Sequence, residues 1–134
     1  MNSHVFTYGS LMFARIWGRV VRGEYASMPA VAYGHARYAI RGETYPGMVA
    51  RSGASVEGVL YFDVGHEDIG ALDAFEGSEY RRASIAVTLP GGESVQADTY
   101  IYLLPEKLSE SPWSPDAFEM ERFIGTYCRE KWQD

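Results

Sequence analysis

From Tyr80 to Leu104 the chain reads YRRASIAVTLPGGESVQADTYIYLL. Two runs rich in β-branched and aromatic residues, Tyr80 to Leu89 and Ser94 to Leu104, flank the breaker Pro90-Gly91-Gly92. That pattern predicts a long β-hairpin. Just upstream, Ile69, Leu72 and Phe75 recur at three-residue spacing and predict a helix over His66 to Phe75. Before the helix, Val56 to Val64 (VEGVLYFDV) reads as a strand. A strand, a short helix and a hairpin in this order indicate an α+β fold on a small mixed sheet or barrel.

The outer segments extend the pattern. His4 to Tyr8 is strand-like and stops at Gly9. Leu11, Phe13, Ile16, Trp17 and Val20 then fall at near-helical spacing, predicting a helix begun by Ser10 and ended by Gly23. Ala30 to Ile40 reads as a strand, broken by Gly42 and the turn Tyr45-Pro46-Gly47, with a short strand over Met48 to Arg51. Pro105 to Ser114, with two prolines and several serines, reads as a loop. A final helix is expected from Ser114: Ser114 caps it, Pro115 suits its first position, and Asp116 and Glu119 sit in its positive first turns. Met120, Phe123, Ile124, Tyr127, Cys128 and Lys131 would line one face of that helix. No repeat or shift of composition divides the chain, so residues 1–134 are expected to form a single domain.

Composition excludes several classes. The 134 residues are 46 % hydrophobic and 22 % charged, which is ordinary globular usage rather than disorder. Twelve Lys plus Arg against eighteen Asp plus Glu give a net charge of −6. Nucleic acid is bound through dense cationic patches, and the longest basic cluster here is Arg81-Arg82, so no nucleic-acid partner is expected. No run approaches the ~20 apolar residues of a membrane span, and no leader is visible, so a cytoplasmic protein without a membrane partner is expected. The single cysteine, Cys128, permits no intrachain disulfide and reads as a packed small hydrophobe. CxxC, HExxH, P-loop and G-x-S-x-G patterns are absent, and His4, His35 and His66 are far apart, so no metal site and no cofactor are expected.

Two motifs remain. In Tyr8-Gly9-Ser10-Leu11 a strand passes abruptly into a predicted helix. It reads either as a plain turn with a Ser cap or as a cradle of outward N–H groups for an anion. In Leu72-Asp73-Ala74-Phe75-Glu76-Gly77-Ser78-Glu79-Tyr80-Arg81-Arg82, Glu76 ends a helix just before a glycine, where the dipole disfavours a carboxylate. It reads either as an exposed turn residue or, beside Phe75, Tyr80 and the strand tyrosines, as a carboxylate whose pKa is pushed up to suit proton transfer.

Taken together, these two motifs resemble the γ-glutamylcyclotransferase-like superfamily, and its avirulence-induced-gene branch in particular. Tyr45-Pro46-Gly47, Val56 to Tyr61, Ala97 to Tyr102 and the segment from Ser114 to Trp132 are similar as well. The resemblance implies a small mixed β-barrel flanked by helices, with a long C-terminal helix. It implies cofactor-free conversion of a γ-glutamyl amine or amino acid to 5-oxoproline plus the free amine. Glu76 falls on the family's catalytic glutamate, and Tyr8, Gly9, Ser10 and Leu11 fall on its binding loop. Met12 departs from the basic residue that often follows this loop. The expected partner is a small γ-glutamyl substrate, and the expected assembly a monomer or weak homodimer. The alternative is a non-catalytic small-molecule-binding or interaction module on the same fold.

Overall fold

The computed structural model describes residues 2–128, apart from the side chain of Cys128. Among the described residues there are six strands: β1 (Ser3–Thr7), β2 (Ser27–Ile40), β3 (Pro46–Val64), β4 (Tyr80–Thr88), β5 (Ser94–Tyr102) and β6 (Leu108–Pro112). Three α-helices accompany them: α1 (Ala14–Val20), α2 (His66–Glu76) and α3 (Met120–Phe123). The sheet runs β3-β1-β5-β4-β2-β6, and a further β3–β2 pairing closes its first five strands into a barrel. β1 and β5 are parallel, with Val5 opposite Asp98, while the other pairs are antiparallel, so the barrel is mixed. The expected hairpin forms in register from Tyr80 opposite Tyr102 to Thr88 opposite Ser94.

Strand alternation divides the core in two. Phe6, Tyr8, Val56, Leu60, Val87 and Ala97 pack into one buried cluster. Val5, Tyr61 and Tyr100, from alternate positions of the same strands, pack with Val64, Leu11, Trp17, Leu72, Phe75 and Phe123 into the other. The second cluster joins the helices to the barrel. Burying Phe6, Leu60, Leu72 and Phe123 almost completely contributes roughly 1.5–3 kcal/mol each.

Four segments differ from the sequence expectation. The helix expected from Ser10 is split: Ser10–Met12 is a single 3-10 turn, Phe13 is extended (φ −90°, ψ 125°), and α1 begins only at Ala14. The C-terminal helix is split in the same way. Ser114 does cap its first turn, its side chain accepting the Asp116 N–H at 3.2 Å, with Pro115 next to it. That turn ends at Ala117, Phe118 is extended (φ −70°, ψ 127°), and α3 is followed by a π-helical turn over Ile124–Cys128. One aromatic cluster accounts for both breaks. Phe13 stacks on Phe118 at 5.0 Å, and Phe118 also packs against Trp113 (5.6 Å) and Phe123 (5.3 Å). Swinging both rings into that contact takes two backbones out of the helical region. The expected packing of Cys128 and Lys131 and the continuation to Trp132 lie outside the described side chains and residues.

The other two differences concern strands. Met48 to Arg51 and Val56 to Val64 belong to one strand, because β2 pairs with both parts, from Pro46 to Ala50 and from Ser55 to Tyr61, with a register shift between Tyr33 and His35 at the residues between them. Residues Leu108–Pro112, expected as loop, form an edge strand on β2, with Ile40 opposite Leu108. A proline is tolerated there because the edge does not need its missing N–H.

Candidate active site

β1 carries Tyr8 to the mouth of the barrel, where the chain turns sharply at Gly9. A Cβ on Gly9 would lie 3.0 Å from two ring atoms of Pro46, so a side chain there would push the start of β3 away by a few tenths of an ångström. Tyr8 is buried, its hydroxyl donating to the Tyr100 carbonyl at 2.5 Å, and Arg37 donates to the Tyr8 carbonyl at 2.7 Å. Ser10 and Leu11 are buried in the turn that follows, which is closed by the Met12 N–H on the Gly9 carbonyl at 3.0 Å.

From the other side comes α2. It ends at Glu76 because Gly77 takes a positive φ (+81°) and returns its N–H to the Asp73 carbonyl at 3.0 Å. The last carbonyls of a helix need partners. Here the Tyr127 hydroxyl supplies one, donating to the carbonyls of Phe75 and Glu76. The π-helical turn thus has a local purpose: it brings Tyr127 onto the end of α2.

These elements enclose one pocket. Its walls include Tyr8, Gly9, Ser10 and Leu11 from the loop, Glu76 and Phe75 from α2, and Tyr45, Tyr80, Tyr100 and Tyr127 around them. All the site residues expected from sequence therefore line a common cavity. The pocket has about 20 Å³ of free space, room for a water molecule, and it adjoins a polar cleft of about 300 Å³. Glu76, Tyr45, Tyr80 and Tyr127 line both spaces, so Glu76 stands at the junction between them. Glu43 and Glu79 line the outer cleft.

Tyr8, Tyr45, Tyr80 and Tyr100 are tied down and their phenols are held in the neutral form. Tyr80 donates to the Pro46 carbonyl at 2.9 Å, and Tyr100 donates to Asp73 at 2.7 Å. Asp73 in turn pairs with Arg82 (3.0 Å), which also holds Asp98 (3.1 Å). Burial pushes the Tyr8 phenol well above its ordinary pKa, and the Glu76 charge pushes it further. Tyr80 is raised by burial first, then by Tyr8 and Glu76. Burial likewise raises Tyr100, helped by its bond to Asp73 and by the charges of Asp73 and Glu76. Glu76 is thus the ionisable carboxylate in a wall of neutral phenols.

Sequence reading named the loop and Glu76 but missed Arg37 and Tyr127. Arg37 sits inside an ordinary strand pattern, and Tyr127 looked like one residue of an apolar helical face. Only tertiary placement reveals either. Among the described residues, no group of three His, Cys, Asp or Glu side chains is placed to hold a metal ion. Nor is any helix among them long and apolar enough to cross a membrane.

Comparison with known proteins agrees with this fold. Protein AIG2 C of Arabidopsis thaliana is 28 % identical over 103 residues, covering 76 % of this chain and 62 % of that relative, so the chain spans less than two-thirds of its length. A solution structure from Arabidopsis thaliana matches with a TM-score of 0.74 at 24 % identity, covering 97 % of this chain and 82 % of the other. A solved gamma-glutamyl cyclotransferase matches with a TM-score of 0.70 at 16 % identity, covering 99 % and 82 %, a likeness of fold. The family model described as "Gamma-glutamyl cyclotransferase, AIG2-like" matches residues 5–118, a span that includes the loop, Glu76 and all of the barrel but the first two residues of β1, and the chain belongs to that family.

Proposed function

We propose that this chain is a γ-glutamyl cyclotransferase, converting a γ-glutamyl amine or γ-glutamyl amino acid to 5-oxoproline and the free amine without a cofactor. The observation that carries the reading is that Glu76 and the Tyr8–Leu11 loop, distant in sequence, line one pocket. Cyclisation requires the substrate's α-amine nitrogen to attack its own γ-carbonyl carbon. Glu76 accepts the proton that the amine must lose and returns it to the leaving nitrogen as the carbon–nitrogen bond breaks. General acid–base catalysis of this kind is worth about 10²–10⁴-fold. N–H groups of the loop hold the substrate carboxylate or the developing oxyanion, where losing one donor costs ~3–4 kcal/mol in comparable sites. Tyrosines that stay protonated line the pocket without competing for the shuttled proton. In this reading the γ-glutamyl half enters the inner pocket, the amine half faces the outer cleft, and the protein works in the cytoplasm on a small substrate.

The narrow inner void supports a second reading, a binding module that retained the pocket without turnover. About 20 Å³ is too little for a γ-glutamyl group unless the ring wall of Tyr45, Phe123 and Tyr127 moves outward. Incubation with a panel of γ-glutamyl amines and amino acids separates the two. Release of 5-oxoproline is expected; binding of panel members with no release would leave the module.

A further inference from the structure

The loop that would receive an anion has a weakness. Glu76 faces it across the pocket, Glu43 and Glu79 line the outer cleft, and among the described residues no Lys, Arg or His lines either space. The loop's own helical segment is a single 3-10 turn, too short to offer much dipole. A carboxylate-bearing ligand therefore needs a cation from elsewhere.

Lys107 pairs with Glu79 at the outer cleft, and the cation built onto the loop itself is Arg37, on β2. Its Nη1 lies 2.7 Å from the Tyr8 carbonyl oxygen, 3.2 Å from the Glu57 carbonyl oxygen and 3.8 Å from Met12 Sδ. Its guanidinium packs over the Trp113 ring at 5.2 Å, and Trp113 is itself fixed by its indole N–H on the Thr44 carbonyl at 2.9 Å. Arginine stays protonated throughout the working pH range. The Tyr8–Gly9 peptide is trans, so its N–H points opposite to the carbonyl that Arg37 holds. Gly9 contributes only backbone to the pocket wall. A charged donor on the carbonyl of a peptide polarises it and strengthens its N–H as a donor.

We propose that Arg37 is the positioning residue that gives this loop its preference for an anion, holding the Tyr8–Gly9 peptide from behind and strengthening the Gly9 N–H without touching the ligand. The inference rests on the loop being the substrate-binding loop of the proposed cyclotransferase.

The test compares two ligands of nearly the same shape, 5-oxoproline and its neutral carboxamide, by calorimetric titration of wild type, Arg37→Met and Arg37→Lys. Wild type should prefer the anion. Arg37→Met should bind 5-oxoproline about tenfold more weakly, near the low end for hydrogen bonds to charged groups, with carboxamide affinity unchanged within about twofold. Arg37→Lys, which restores the charge but not the planar fork, should recover part of the loss. A wild type without anion preference overturns the proposal. So does an equal loss for both ligands, or a lysine variant that recovers nothing, because each reduces Arg37 to scaffolding. Turnover of the γ-glutamyl panel judges the reaction separately: anion preference without turnover keeps this role for Arg37 and removes the reaction, and turnover without the preference does the reverse.

Discussion

Asp68 and Glu76 stand in the first and last turns of one helix, α2, in opposite physical circumstances. Asp68 is buried, accepts the N–H groups of Arg22 (2.9 Å) and Gly23 (3.0 Å), and takes the Tyr25 hydroxyl at 2.5 Å. The positive end of the helix favours its charge. Burial alone would raise its pKa, but the bonds to Tyr25, Arg22 and Gly23 outweigh burial and hold it below the usual carboxylate value. Glu76 sits at the negative end, half-buried, at the junction of a pocket and a cleft. A carboxylate whose lone pairs are filled by its own chain has a structural role. In the proposed function Glu76, placed against the dipole and lining one cavity with the Tyr8–Leu11 loop, is the carboxylate that does the chemistry.

The comparison breaks first if Asp68 can be removed cheaply. Asp68→Ala leaves two N–H groups and a phenol without their acceptor, and should cost about 3 kcal/mol or more in urea unfolding. Binding of 5-oxoproline by the molecules that remain folded should be unchanged. Acid unfolding sharpens the same point. Because the folded-state pKa of Asp68 lies below its unfolded value, its contribution is fully present above that unfolded value and disappears as pH falls through the folded one. Stability measured downward from pH 6 should therefore fall more steeply in wild type than in Asp68→Asn.

Smaller effects probe the other end of the helix. Tyr127→Phe removes the donor to the last carbonyls of α2 and should cost about 1 kcal/mol. Thermal melts of that variant test whether the C-terminal segment caps α2 or merely lies beside it. The smallest effect belongs to Glu67→Gln. Glu67 is exposed in the first turn, and losing its charge at the positive end should cost about 0.3 kcal/mol, with no effect on the site.

How far the sequence discloses this arrangement depends on the range of the forces involved. The hairpin at Pro90-Gly91-Gly92, the helix ended by Gly77 and the strand stopped at Gly9 were legible because each is a local matter of turn chemistry and period. Glu76 was legible only as a carboxylate at a helix end, which also fits an exposed turn residue; its candidacy as a site residue came from the family resemblance. The breaks at Phe13 and Phe118 were not, because each ring leaves its helix to meet the other from the far end of the chain. The edge strand Leu108–Pro112 was hidden by its proline and serines, which the outer strand of a sheet tolerates. Arg37 and Tyr127 act through backbone carbonyls of other elements, a role with no residue pattern of its own.

The central claim is that Glu76 shuttles the proton, and Glu76→Gln tests it most directly. The substitution keeps the size and hydrogen-bonding capacity of the side chain but removes its ability to accept and return a proton. With the best member of the γ-glutamyl panel, 5-oxoproline formation should fall by about 10²-fold or more, while affinity for 5-oxoproline largely survives. Glu67→Gln, on the same helix, serves as the control and should turn over at the wild-type rate. Undiminished turnover in Glu76→Gln would contradict the account, since the proton would then be moved by some other group.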